Sequence, residues 1–344
     1  MKPSMFTLST VLERVERHRN KTLINDTAWQ KIVDLSRDFP SQWTYTGYEC
    51  RLESDAPRVD LMLGIGSEQA RQTIRQNWRT NRGYGVPFGA QPFIEQWAQT
   101  PSILADCPVI NFEWDIPDDT TPTKDTIKPL MAICLNPSIY DANYQAKPRY
   151  ALIRLIKAAL PLIIPPLQVN SILTTILHCV DHLPANADLV HIMPLHSRGI
   201  NQCTLLIDIK KDKLHEWLKQ IRWPGDYQAL NTILSLSNPH SNNASIQIHV
   251  GEQVSGYIGI ESPLSIFGQL YNFAPEVLAR LHQQNLACKS KIAAIQDWPT
   301  NYKLLSADKV NDIHLSHDCY FKLASTGKEQ PIKAKAYLEV ITQF

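Results

Sequence analysis

The stretch PIKAKAYLEV (331–340) places Lys333, Lys335, Tyr337 and Glu339 at odd positions and Ile332, Ala334, Ala336, Leu338 and Val340 at even ones. Such alternation is the mark of a strand with one polar and one apolar face. If the polar face looks at bulk water, these side chains are solvated and do nothing further. If it lines a cavity, two lysines and a tyrosine form one wall of an anion site. The same pattern recurs along the chain. Tyr45, Glu49 and Arg51 share one side of a candidate strand, as do Arg58 and Asp60, and as do Asn111, Glu113 and Asp115. Further on come Thr204 and Asp208, Gln247 and His249, Tyr257 and Glu261, and finally His314, Asp318, Tyr320 and Lys322.

Other chemistries lack their residues. His191 and His196, or His314 and His317, have neither H-E-x-x-H spacing nor a cysteine set beside them. GIGSEQ (64–69) lacks the third glycine of a dinucleotide fingerprint and reads as a turn. There is no G-x-S-x-G, Walker A or kinase set. With 34 Lys plus Arg against 33 Asp plus Glu, no bulk field draws the chain to nucleic acid or to an anionic membrane. Seven cysteines, an odd number scattered singly, fit free thiols in a reducing compartment. The N-terminus turns charged before an apolar run of signal-peptide length, and AALPLIIPPL (158–167) is too short to span a bilayer. The expectation is a soluble cytoplasmic protein.

The elements that would position these residues follow a regular order. Helical sequence fills the first 40 residues. Paired strand-like runs then begin near residues 43, 109, 188, 245 and 312, a mean period of about 67, with helical sequence between them. The pairs cover 43–65, 109–136, 188–209, 245–262 and 312–341. The runs of the second and third pairs at 128–136 and 188–197 do not separate cleanly into two faces. Trp223-Pro224 and Trp298-Pro299 echo one another in successive helical segments.

This layout resembles the αββα (ABBA) prenyltransferase barrel, in which five α-β-β-α units close ten antiparallel strands inside a ring of helices. The resemblance implies a single α+β domain over residues 1–344 with a polar lumen. GYIGIES and AKAYLEV also resemble segments of uncharacterised bacterial proteins linked to peptide natural-product pathways. The helical segments carry enough Leu, Ile and Trp to need an apolar partner, and the apolar strand faces can provide it, leaving the polar faces to line an interior. A two-domain α+β protein with its polar faces in water is the alternative.

In a closed barrel the last strands neighbour the first, so Lys322, Lys333, Lys335, Arg51 and Arg58 form one arc, opposite Glu113, Asp115, Asp208 and Glu261. Buried charges need partners, and a diphosphate would supply one for the basic arc. By resemblance, that arc would hold an allylic diphosphate. Tyr45, Tyr257, Tyr320 and Tyr337 would shield the allyl cation, Glu113 or Asp115 would take the proton from an aromatic or peptide acceptor, and Asp60 could bring Mg²⁺. The family's K-x-Y pattern occurs once, as Lys335-Ala336-Tyr337. The rival reading is a non-catalytic peptide-binding accessory protein on the same fold, with a precursor peptide as partner.

Overall fold

The computed structural model describes residues 8–38, 45–53, 59–66, 71, 90–99, 101–116, 129–136, 147–304, 313–327 and 330–343. The strands are β1 (Tyr45–Arg51), β2 (Val59–Ile65), β3 (Ile110–Trp114), β4 (Leu130–Cys134), β5 (Asp188–Pro194), β6 (Cys203–Lys210), β7 (Asn243–Val250) and β8 (Val254–Pro263). After them come the short β9 (Ser265–Ile266) and β10 (Gln269–Leu270), then β11 (Thr300–Leu304), β12 (Ile313–Ser325) and β13 (Lys333–Gln343). The helices are α1 (Leu8–Val15), α2 (Asp26–Leu35), α3 (Ala90–Trp97), α4 (Arg149–Ile163) and α5 (Pro166–Asp181). They continue with α6 (Lys211–Gln220), α7 (Tyr227–Leu236), α8 (Ala274–Gln283) and α9 (Lys289–Gln296).

Local chemistry sets the helix ends. The side chain of Asn25 accepts from the Ala28 amide and caps α2, and Asp226 accepts from Gln228 at the start of α7. The Pro165-Pro166 pair ends one helix and opens the next, with Pro166 at the first turn of α5, where its missing N–H costs nothing.

The strands run β12-β13-β1-β2-β3-β4-β5-β6-β7-β8, every neighbour antiparallel, and β8 pairs back onto β12. Ten strands therefore close into a barrel. Cross-strand partners share a face, and the register separates the two faces. Cys50, Leu61, Leu63, Phe112, Ile133 and Ile192 point outward, as do Leu205, Ile246, Ile260, Phe321 and Leu338. All are buried in one core cluster with Trp29, Ile32, Leu155, Ile176, Trp217, Ile233 and Leu278 of the helices. Burying each such aliphatic side chain contributes about 1.5–3 kcal/mol, so the apolar face must turn outward and the polar face inward. Solvation of the polar face is excluded, because Glu49, Asp60 and Tyr337 are only 2%, 3% and 3% exposed.

Two features depart from the sequence reading. Residues 300–304 continue no helix; they form β11, which pairs with Ile313–His317 of β12, while β8 pairs with Tyr320–Ser325. The small β9–β10 hairpin fills the fork between them. Asp318 holds it by accepting from the Gly268 amide at 2.9 Å and the Ser265 hydroxyl at 3.1 Å. The unclear faces of the fourth and fifth strands also have causes. β4 is buried along its whole length, and β5 carries a register shift between Leu189 and His191.

Candidate active site

The ends of each successive strand pair, Arg51/Val59, Trp114/Leu130, Pro194/Cys203, Val250/Val254 and Ser325/Lys333, gather at one end of the barrel. We call it the hairpin end; the helices connect at the other. Register links the lumen side chains into rows. One row runs Arg51, Lys335, Lys322, Glu261, Ser245, Asp208, Asp188. Because the strands tilt, this row winds from the hairpin end at Arg51 to the helix end at Asp188. Three cations are thus consecutive in space, and acids follow. The adjacent row is Asp60, Glu49, Tyr337, Tyr320.

Within the cation row the three members differ. Lys335 forms an ion pair with Glu49, whose carboxylate also accepts from the Tyr337 hydroxyl. Burial alone would raise the Glu49 carboxyl, but the charges of Lys335 and Lys322 outweigh it and hold it well below the usual range. Lys322 donates to Gln247 Oε1 at 3.2 Å and lies 5.0 Å from the centre of the Tyr337 ring. No carboxylate of the described residues lies within ion-pair distance of it. Half-buried Arg51 has no side-chain hydrogen bond or ion pair among the described residues. Lys333 is exposed, at the first position of β13 on the hairpin end. Arg58 lies outside the described residues.

The tyrosines divide. Tyr320 and Tyr337 stack with ring centres 4.6 Å apart and planes 6° from parallel, directly beside the cations. Tyr257 stacks on His249 at 3.7 Å. Burial, with Lys322 and Arg198 nearby, pushes His249 down to about 3, so it is a neutral ring at neutral pH. Tyr45 is elsewhere. It lies six residues before Arg51 on β1, about 20 Å along a strand, and its ring covers Gly64 near the helix end.

Glu113 and Asp115 meet a cation absent from the sequence reading. Arg198, in the turn after β5, donates to Asp115 at 2.6 Å through two nitrogens and to Glu113 at 2.5 Å. Burial would lower the guanidinium pKa, but the two carboxylates outweigh it and raise it. Arg198 sits before Gly199, which takes φ 73° and closes the turn. No periodicity marks such a residue; its only sequence signal is the Arg-Gly step between two strand runs.

Burial lifts Glu261 to about 7 against the pull of Lys322, with Asp208, Glu49 and Glu113 adding to the rise. Burial and the nearby Asp318 lift Glu339 to about 8. The lumen thus contains fixed cations, stacked phenol rings and carboxyls near their titration points, which together can bind an anion and exchange a proton. The fit for Mg²⁺ is poor. Asp60 already accepts from the Ile116 amide at 2.9 Å, its cross-strand partner Glu49 is committed to Lys335, and the described residues contain no group of three or more His, Cys, Asp or Glu arranged for a metal. No helix among the described residues is long and apolar enough to cross a membrane.

No protein-family model matches the chain, and no curated protein matches it in sequence. Solved structures do. The crystal structure of 5-dimethylallyltryptophan synthase from Streptomyces coelicolor matches over 97% of this chain and 98% of that one, with TM-score 0.50 and 11% identity. The same synthase in complex with DMASPP and Trp matches over 97% and 95%, with TM-score 0.49 and 12% identity. Closed strand order, outward apolar face and this likeness agree, and the chain has the αββα prenyltransferase barrel fold.

Proposed function

We propose that the protein transfers a prenyl group from an allylic diphosphate to an aromatic or peptide-borne acceptor inside the barrel. The observation that carries this reading is the run of Arg51, Lys335 and Lys322 in one lumen row, flanked by stacked Tyr320 and Tyr337. Donors fixed where the diphosphate departs stabilise the growing negative charge. Phenol faces beside them stabilise the allyl cation and exclude water from it. Lys322, with no carboxylate partner among the described residues, is the principal diphosphate ligand, Arg51 meets the diphosphate at the hairpin end, and Lys335 turns from Glu49 to join them. Lys333 at the rim contributes attraction and the ring of Tyr257 contributes shape. The fold likeness supports the reading, because the matched structure is a 5-dimethylallyltryptophan synthase.

Titration calorimetry with a non-hydrolysable prenyl diphosphate analogue, with and without Mg²⁺, tests it. Micromolar binding is expected, weakened at least tenfold by Lys322→Ala, about 1.4 kcal/mol or more. Absence of binding by the wild-type chain under both conditions would overturn it. One observation favours the second reading, a non-catalytic peptide-binding protein of a ribosomal-peptide natural-product pathway. Lys335 is already neutralised, and beyond Lys322 the row carries three acids, Glu261, Asp208 and Asp188. Binding of a basic peptide without any diphosphate affinity would decide for that role.

A further inference from the structure

We propose that the outer edge of β11, with the β9–β10 turn beside it, docks an extended acidic peptide segment as an added strand. The surface is at the helix end, away from the cation row, and the proposal stands whatever the lumen binds. Its cations Lys303 and His314 are cross-strand partners, and His314 precedes Lys322 by eight residues of β12, about 27 Å along the strand.

The first observation is the edge itself. Thr300–Leu304 pairs with β12 on one side, and no strand among the described residues pairs with the other. Such an edge presents backbone donors and acceptors to any extended chain. The second is the turn. Phe267 and Gly268 connect β9 to β10 with positive φ at both, 50° and 73°. A two-residue hairpin turn requires that geometry, which Asn-Gly adopts readily and a bulky phenylalanine adopts only under strain. The strain gains little burial, because Phe267 stays 66% exposed and the adjacent Ile266 45%. Asn301 of β11 fixes the tip by donating to the Phe267 carbonyl at 2.7 Å. A large apolar side chain held out in water at a conformational cost points to a partner that covers it.

The third observation is charge. Phe267, Asn301, Tyr302, Lys303, His314 and Leu315 line one open groove of about 850 Å³. Lys303 and His314 are exposed, and no Asp or Glu is among the described residues that line it. Tyr302 is held in place between them. Its hydroxyl is bonded to His317 Nε2 at 2.8 Å, and His18 stacks on its ring at 3.8 Å, with Arg17 Nε donating to His18 Nε2 at 3.1 Å. The groove therefore suits carboxylates alternating with apolar side chains, the pattern of a strand with one acidic face. A second copy of this chain fits less well, since its own TNYKL strand would bring the same cation and no acid.

Fluorescence anisotropy with three labelled, end-blocked peptides tests this. EVEFEVEV is the probe, KVKFKVKV reverses its charge, and EPEFPEEV keeps its charge while prolines remove a backbone donor from each edge. The wild-type chain should bind EVEFEVEV saturably, at least tenfold more tightly than either control. Lys303→Glu should weaken that binding at least tenfold. Phe267→Gly should weaken it at least threefold while leaving the thermal unfolding midpoint at or above that of the wild type, which a phenylalanine kept for the fold would not allow. No saturable binding of EVEFEVEV, equal binding of either control, or binding unchanged by Lys303→Glu or by Phe267→Gly overturns the proposal. A dimer in sedimentation velocity that Phe267→Gly dissolves also overturns it, because a second copy then occupies the edge. None of these outcomes bears on diphosphate binding in the lumen.

Discussion

Glu49 is the most deeply buried acid of the lumen site, at 2% exposure, and its ionised form depends chiefly on the ion pair with Lys335, with the Lys322 charge and the Tyr337 hydroxyl beside it. Removing one partner of such a pair leaves an uncompensated charge and costs about 3–5 kcal/mol, far more than the pair's net worth. Lys335→Met should therefore destabilise by about that much, and Glu49→Gln together with Lys335→Met should recover most of the loss, as read from urea unfolding midpoints in a double-mutant cycle. The pH dependence has a definite sign. The folded carboxyl is held below its unfolded value, so its contribution is complete above the unfolded value near 4.3 and fades as pH falls through the folded one. In acid titrations the wild-type chain should show this fading and Lys335→Met should not; parallel curves would refute the assignment. The residues of the lumen were legible in the sequence because strand alternation exposes a polar face directly. Arg198 was not, because a turn residue belongs to no period, and its partnership with Glu113 and Asp115 exists only once the barrel brings the β5–β6 turn beside β3.

Elements fit the lumen by trading glycine against large side chains. A Cβ at Gly64 on β2 would come within 2.1 Å of Tyr45 Cε1, and one at Gly47 on β1 within 2.7 Å of Met62 Cε. Neighbouring strands therefore interlock, a large side chain of one lying on a glycine of the other. Gly64→Ala should force the Tyr45 ring from its place and cost about 1–3 kcal/mol, measured by chemical denaturation with an unchanged slope. Combining it with Tyr45→Ala should show strong coupling, because the clash vanishes with the ring; additive losses would mean the ring was never in the way. The elements missed in sequence are those whose structure is imposed from outside. TNYKL follows a Trp-Pro step after a helix and has no strong alternation, yet it becomes β11 because β12 outruns β8 and its first residues need a backbone partner. The β9–β10 hairpin likewise exists to fill the fork that this exchange creates.

The barrel closes by joining distant parts of the chain. β13 lies between β1 and β12, pairing Tyr45–Arg51 on one side and His314–Ala324 on the other, so Glu49 meets Lys335 across almost the whole sequence. Closure of this kind was inferable from composition by pattern. Strands with one apolar face and helices with apolar stripes must pack together, and the polar faces then have only an interior to occupy. The order of closure follows from physics as well. Non-local pairing repays its loop entropy only when the ring is complete, so folding should be slow and cooperative. Ending the chain after Gln330 removes the strand that completes the ring. Two strands then lose their backbone partners, and lumen charges that had only each other, Glu49 among them, lose theirs. Such a chain should show no cooperative thermal transition in near-ultraviolet circular dichroism, whereas the full chain should show a single one. A truncated chain that kept a cooperative transition would mean that the remaining nine strands hold a native sheet unaided, with the lumen's charges stabilised by something other than closure.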